Sequence, residues 1–205
     1  MNHNMYHNPI VQDNIRKLER FGYEMIAPDR GMLANGDDGD GRMPEPEVLF
    51  EYILRELAFE KDLAGKNVLV TAGATMEAID PVRYITNHSS GKMGCAVAKA
   101  AMQRGAKVTL VAGHMEVLPP MFVDVVNVKS AADMFEAVTK LAPEQDIIVK
   151  AAAVADYTPV EVADNKIKKS DDDMKIELKR TQDILGYLGQ HKRDGQVICG
   201  FSMET

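Results

Sequence analysis

Ser89-Ser90-Gly91-Lys92 stands directly before Met93, Ala96, Val97, Ala100 and Ala101, which recur at helical spacing, and Asn87 lies two residues ahead of it. Two hydroxyl side chains and a residue without a Cβ at a helix start are suited to receiving an anion. The hydroxyls can cap the first turn, backbone N–H groups there have no intrahelical partner, and the helix dipole adds partial positive charge. The chemistry to expect is that of a phosphate-bearing ligand. Asn87 has two readings: Asn is favoured in turns and caps, and two positions before such a helix start its amide is placed to contact a bound ligand.

Lys166, Lys168 and Lys169 form a second group, inside the charged stretch TPVEVADNKIKKSDDDMKIELKR from Thr158 to Arg180. Lysines that keep an exposed hairpin soluble are a common edge device, and for Lys168 and Lys169 that reading weighs as much as ligand binding. Two familiar phosphate loops are excluded. A Walker A loop needs Gly where Thr86 stands and Ser or Thr where Met93 stands, and the dinucleotide fingerprint GxGxxG is replaced after the first strand by Gly73-Ala74-Thr75-Met76-Glu77-Ala78.

Other chemistries have little to build on. The net charge of -7 over 205 residues argues against a nucleic-acid groove, so any anion site must be a local basic patch. Cys95 and Cys199 lie in apolar surroundings without metal-ligand spacing, and His3 and His7 share helical spacing but lack an HExxH context. No signal peptide or bilayer-length apolar run is present, so the expected compartment is the reducing cytoplasm, with no membrane partner.

The elements that must position these residues alternate from Lys66 onward as a doubly wound α/β domain does. An apolar first strand, Asn67–Thr71, runs into the turn Ala72-Gly73-Ala74, and after an irregular passage around Pro81 the first helix spans Gly91 to Arg104. Strands follow at Lys107–Ala112 and Val123–Val128, then a helix over Ala131–Leu141 and a strand at Asp146–Lys150 ending in Ala151-Ala152-Ala153. Met174–Leu178 alternates as an exposed strand, Thr181–Leu188 reads as a helix with Thr181 as cap, and Val197–Phe201 as a last strand. The fold class is α/β: a Rossmann-like three-layer domain with a parallel sheet. Small side chains at Ala151 to Ala153, at a strand's carboxyl end, allow a ligand to approach the backbone there.

Residues 1–50 read as a different piece. Asn8-Pro9 favours a turn, Val11, Ile15, Leu18 and Phe21-Gly22 make one amphipathic helix ending at Gly, and Tyr23 to Ile26 suits a short strand. Gly31 to Met43, GMLANGDDGDGRM, has the composition of a mobile loop and misses the offsets of an EF-hand. From Pro44 to Leu63 the spacing of Val48, Leu49, Tyr52, Ile53 and Leu57 predicts a connecting helix. The division expected is 1–50, a connecting helix at 51–64, and a domain over 65–205.

The stretch Val68–Gly94 resembles phosphopantothenoylcysteine synthetase, whose signature is a Gly-Thr turn, DPVR, and an Asn two residues before SSGKMG. Here these are Ala74-Thr75, Asp80 to Arg83, Asn87 and Ser89 to Gly94, with Ala74 where the family usually has a second Gly. Lys166 opens a matching KIKK, and GFSMET at the end is similar to the family's GFAAET. MNHNMY and GMLANGDDGDGRM resemble the last third of phosphopantothenoylcysteine decarboxylase, which many bacteria fuse ahead of the synthetase. In that family the second motif is a flap carrying a proton-donating Cys; here the position is Asn35. An amide cannot replace a thiol in acid–base work. The upstream half that binds FMN in the family is outside this sequence, so the resemblance implies a fragment of a bifunctional enzyme that neither holds FMN nor decarboxylates.

What the resemblance implies is a ligase of coenzyme A biosynthesis. The carboxylate of 4'-phosphopantothenate attacks the α-phosphate of CTP, with Mg2+ assisting, and cysteine then takes the acyl group. Asn87 and Lys166 fall at the family's catalytic positions. Gly73, Ser89, Gly91 and Gly94 fall around the nucleotide phosphates. Lys150, Ala151, Ala152, Asp156, Lys166, Gln182, Asp183, Ile184, Leu185 and Phe201 fall where bacterial members hold CTP. Asn87, Ala152, Ala153 and Asp156 fall on phosphopantothenate, leaving Asp156 between both ligands. A homo-oligomer is implied at full length. ATP in place of CTP, a nicotinamide-dependent oxidoreductase on the shared α/β pattern, and a non-catalytic fragment are the competing readings.

Overall fold

The computed structural model describes residues 1–169 and 173–202. The chain divides into two units, Met1–Leu54 and Arg55–Thr205.

In the N-terminal unit, α1 (His3–Tyr6) is capped by Asn2, whose side chain accepts the N–H of Asn4 at 2.9 Å. The amphipathic helix is α2 (Pro9–Arg20), with Asn8 as N-cap and Pro9 at the first helical position, followed by Gly22 at φ 86°. Asn8-Pro9 thus starts the helix rather than forming a separate turn, because proline needs no N–H there. The strand expected at Tyr23–Ile26 is not formed. Pairing begins later, and the expected loop is instead an antiparallel hairpin of β1 (Asp29–Met32) and β2 (Asp38–Arg42). Glycine-rich composition concealed it, because the glycines serve close packing rather than mobility. A Cβ on Gly39 would fall 2.7 Å from His3 Nδ1, and one on Gly41 would fall 2.0 Å from the carbonyl oxygen of Met1. The predicted connecting helix is α3 (Pro46–Leu57), which lies inside the Pro44–Leu63 stretch read from the apolar spacing and begins sooner than the 51–64 division expected.

In the second unit a five-stranded parallel sheet runs in the order β11-β8-β3-β6-β7, built from β3 (Asn67–Ala72), β6 (Lys107–Ala112), β7 (Asp124–Asn127), β8 (Ile147–Lys150) and β11 (Val197–Gly200). Central β3 buries both faces, as an unbroken apolar run in a parallel strand must. Val68, Val70 and Ala72 pack with α4 (Lys92–Gln103) and β6. On the other face Leu69 packs with Met134 and Val138 of α5 (Ala131–Leu141) and Ile184 and Leu188 of α6 (Ile184–Gln190). The three-layer α/β expectation holds.

Several local expectations do not. The irregular passage around Pro81 contains a hairpin, β4 (Met76–Ala78) with β5 (Tyr84–Thr86). The buried face of α4 is Gly94, Cys95, Ala98, Ala101 and Met102, whereas Met93, Ala96 and Ala100 are exposed. Only Leu178 of the expected Met174–Leu178 strand lies in one, since β10 (Leu178–Arg180) pairs only with β9 (Tyr157–Pro159). Asp183, not Thr181, caps α6, accepting the N–H of Gly186 at 2.9 Å. The last residues of GFSMET, Met203 to Thr205, and Ser170 to Asp172 of the charged stretch lie outside the described residues. Among the described residues no helix is long and apolar enough to cross a membrane.

Candidate functional site

In this strand order the chain turns one way from β3 to β6 and β7, then the other way to β8 and β11. The reversal falls between β3 and β8, and the crevice outside their carboxyl ends is where open parallel sheets hold ligands. Gly73-Ala74-Thr75 leaves one strand there and Ala151-Ala152-Ala153 the other.

Two buried hydroxyls knit these ends together. Thr71 Oγ1 accepts the N–H of both Ala151 and Ala152, each at 3.1 Å, and Thr75 Oγ1 accepts that of Ala155 at 3.0 Å. The N–H of Ala153 donates to the carbonyl of Gly73 at 2.8 Å, and that of Thr75 donates to Ala153 at 3.2 Å. The amides of Ala151, Ala152 and Ala153 are therefore engaged, and a ligand meets their methyl groups and carbonyls. Sequence reading passed over Thr71 as a site residue; its one signal is a hydroxyl closing an otherwise apolar strand.

Asn87 follows β5 and reaches the same place. Its Nδ2 donates to the carbonyl of Val154 at 3.3 Å and stands 3.5 Å from that of Ala153, while Thr86 Oγ1 donates to the carbonyl of Thr75 at 2.7 Å. Asn87, Ala152 and Ala153 are thus brought together. Exposed Asp156 follows; its carbonyl accepts the N–H of Thr181 at 2.9 Å, and Thr181 Oγ1 donates to Ala155 at 2.7 Å. This brings in the segment with Gln182 and Asp183. On the far side of β8, the N–H of Phe201 donates to the carbonyl of Lys150 at 3.1 Å.

The helix start differs from the hydroxyl-capped one expected. Gly91 is the N-cap of α4 at φ 76°, with no side-chain cap, because only a left-handed residue admits the chain at this angle. Ser89 and Ser90 are half-buried and do not cap. The glycines also have packing reasons of their own. A Cβ on Gly73 would fall 2.4 Å from the carbonyl oxygen of His114, one on Gly91 2.6 Å from Met115 Cγ, and one on Gly94 2.5 Å from Ala72 Cβ. His114 and Met115, which close over this turn, were not singled out from sequence. Within the expected nucleotide group, the Asp183 carboxylate is used as a cap and the Ile184 side chain is core, so Ile184 offers a ligand only backbone. Gln182, Leu185 and Phe201 are exposed.

Lys166 is exposed on the excursion between β9 and β10, and the next residue, Ile167, is held at its backbone by Asp80 and Arg83. The Arg83 guanidinium holds the Asp80 carboxyl far below the usual carboxylate range; burial opposes this, and backbone N–H groups of Val82, Ile167 and Arg83 add to it. A cleft of about 1090 Å³ is bordered by Arg83, Lys166 to Lys169 and Met174 to Glu177. A second, of about 690 Å³, is bordered by Asp80 to Tyr84, Lys129, Lys179, Arg180 and Gln182. Neither is lined by Asn87 or the alanines at the strand ends. Burial pushes the Cys95 thiol up, which makes it a core residue rather than a nucleophile.

In the N-terminal unit, Asn35 is exposed at the hairpin tip and its amide donates to Asp37 at 2.5 Å. His3, His7 and Asp40 are the group of possible metal ligands found among the described residues. His7 Nε2 stands 2.7 Å from Asp40 Oδ2, and Asp40 donates its N–H to His3 Nδ1 at 3.0 Å. These bonds account for the grouping without an ion.

Residues 63–205 match the model of the DNA/pantothenate metabolism flavoprotein C-terminal domain, and residues 1–58 match a flavoprotein model. The bifunctional coenzyme A biosynthesis protein CoaBC of Haemophilus influenzae is 47% identical over 205 residues, covering 100% of this chain and 51% of that protein. CoaBC of Bacillus subtilis is 48% identical over 208 residues, with the same coverage. The chain spans about half the length of the curated relatives it matches. Among solved structures, the C-terminal domain of CoaBC aligns with a TM-score of 0.61 and 49% identity, covering 70% of this chain and 67% of that one.

Proposed function

Because this chain belongs to the DNA/pantothenate metabolism flavoprotein family, we propose that it carries phosphopantothenate–cysteine ligase chemistry within a bifunctional enzyme of coenzyme A biosynthesis. The observation that carries the reading is the convergence of Asn87 with Ala153 and Val154 at the switch point of the sheet. The similarity to CoaBC supports it.

A carboxylate is a poor acyl donor, because resonance and negative charge repel an amine. Transfer to a nucleotide solves this. An oxygen of the 4'-phosphopantothenate carboxylate bonds to the α-phosphorus of CTP, and the bond to the bridging oxygen breaks to release pyrophosphate. The amine of cysteine then bonds to the acyl carbon, the acyl–phosphate bond breaks with its electrons leaving on CMP, and the ammonium proton is lost to solvent. Asn87 orients the carboxylate for the first step with an amide that carries no charge to repel it. Lys166, a point charge on a flexible stem, stabilises the oxygen that becomes negative in the second.

Mg2+ bound with the nucleotide would neutralise phosphate charge. The decarboxylase-like part is proposed inactive, since Asn35 cannot donate a proton as a thiol does.

The test uses the polypeptide extended to the length of its relatives, quenched with and without cysteine and resolved by mass spectrometry. Lys166→Gln is expected to form acyl-cytidylate and release pyrophosphate but to transfer poorly to cysteine. Asn87→Asp sets like charges together, which should slow the first step about a hundredfold or leave the intermediate misplaced. Formation of intermediate by Asn87→Asp but not by Lys166→Gln would reverse these roles, and pyrophosphate release without phosphopantothenate would remove the ligase reading.

A further inference from the structure

The tip of the hairpin between β1 and β2 takes no part in the chemistry above, yet it brings reactive groups together. Asn35-Gly36 is the one place in the sequence where asparagine precedes glycine. A backbone nitrogen can close a five-membered ring on the side-chain carbonyl of the residue before it. Glycine leaves that nitrogen least hindered, because it has no Cβ. Both residues are exposed, Gly36 stands at φ 85°, and nothing among the described residues lies within 4 Å of where its Cβ would be.

Asp37 engages both ends of the amide that such a closure attacks. Its N–H donates to Asn35 Oδ1 at 3.4 Å, and its carboxylate accepts Asn35 Nδ2 at 2.5 Å. Ring closure builds negative charge on Oδ1 and positive charge on Nδ2, so a donor on the first and an anion on the second stabilise what forms. One bond stands against closure. The N–H of Gly36 donates to the carbonyl of Leu33 at 2.9 Å and must be released before the nitrogen can attack. At the exposed tip of a two-stranded hairpin, local opening of this kind costs little.

We propose that Asn35 is a site of self-deamidation, assisted by Asp37, and that the conversion loosens the hairpin tip. The Gly36 nitrogen gives its proton to hydroxide and bonds to Asn35 Cγ. The Cγ–Nδ2 bond then breaks, and Nδ2 takes a proton from water and leaves as ammonia, which restores the hydroxide. Water adds to either carbonyl of the cyclic imide and opens its bond to nitrogen, leaving aspartate or isoaspartate. Water is the one reactant consumed, and the reaction needs no part of the ligase machinery. The product sets a new carboxylate beside that of Asp37, where a hydrogen bond stood, and the two like charges repel.

Two measurements test this. The full chain is incubated in heavy-oxygen water at mildly acidic and mildly alkaline pH, digested and resolved by mass spectrometry. The peptide holding Asn35 is expected to exchange NH for a solvent oxygen, to contain isoaspartate as well as aspartate, and to convert faster at the higher pH. Peptides holding Asn67 and Asn127, each followed by valine, should keep their mass. Asp38 and Asp40 also precede glycine, but isomerisation at either leaves no mass gain on incubation in ordinary water, which separates it from conversion at Asn35. Gly36→Ala should slow the conversion about tenfold or more, and Asp37→Ala, which keeps the N–H but loses the anion, about threefold or more. No mass gain at Asn35, or aspartate without isoaspartate, overturns the proposal, and an unchanged rate in Asp37→Ala removes the part given to Asp37. Amide hydrogen exchange then compares the converted chain with the fresh one. The N–H of Leu33, which donates to the carbonyl of Asp37 at 2.8 Å, is expected to exchange about tenfold faster after conversion, while Val70 in the central strand keeps its protection. Unchanged exchange at Leu33 would show that the tip is not loosened.

Discussion

Thr71 Oγ1 receives the backbone N–H of Ala152 at 3.1 Å, across the boundary between the central strand and its neighbour, and receives Ala151 at the same distance. One hydroxyl thus sets the direction in which the chain leaves β8. Thr71→Val keeps the branched shape but strands two donors, so a loss of about 1–3 kcal/mol is expected. Urea unfolding should show a lower midpoint with an unchanged slope, and Thr71→Ser should recover most of it. A valine variant as stable as wild type would mean that those amides find other partners.

Gly94→Ala sets two effects against each other. Alanine in a helix gains about 1 kcal/mol over glycine. Its Cβ would stand 2.5 Å from Ala72 Cβ and 2.9 Å from the carbonyl oxygen of Thr71, both on the buried central strand. Overpacking of this kind costs about 1–3 kcal/mol, and because the nearest atoms are backbone or fixed to it, the clash should win. A lower melting temperature is expected, and a higher one would refute the packing role.

Asp80 makes stability depend on acidity in a defined direction. Its folded-state value is depressed, chiefly by Arg83, so its contribution is complete above the unfolded value near 3.9 and is lost as pH falls from there toward the folded value. The stability difference between wild type and Asp80→Asn should therefore be constant near neutrality and narrow only below about pH 4. A difference that narrows between pH 7 and 5 would point to another group.

CTP is expected to raise the melting temperature more than ATP or GTP at equal concentration, with Mg2+ enlarging the shift, because only binding to the native state stabilises it. Equal shifts for the three nucleotides would count against a pocket that reads cytosine.

Much of this was legible in the sequence because hydrophobic periodicity reports burial directly. Lys107–Ala112 and Ala131–Leu141 fall where spacing put them. Misreadings came where a residue's type did not reveal its partner. Gly39 and Gly41 are poor strand formers in isolation, yet they build a strand because α1 and the chain start lie against them. Ser89 and Ser90 have capping chemistry, but the entry angle needs a left-handed residue and Gly91 takes the position. In α4 the small residues, not Met93, face the sheet, since the helix must approach closely at Gly94. The grip on Ile167 joins residues 87 apart in the chain and has no local signature.

The central position of β3 bears on how the sheet is assembled. Val68 pairs with Val108 on one side and Ile147 on the other. The second partner is about twice as far along the chain, and doubling a loop adds only about 0.6 kcal/mol of closure entropy. Chain connectivity thus gives the β3–β6 ribbon only a small head start in the folding nucleus. The side of the sheet carrying β8 and β11, and with it the completed crevice, can form late only if its contacts are themselves weak in the transition state. Folding-rate measurements on Ile148→Val and Val108→Ala would place the two halves in time.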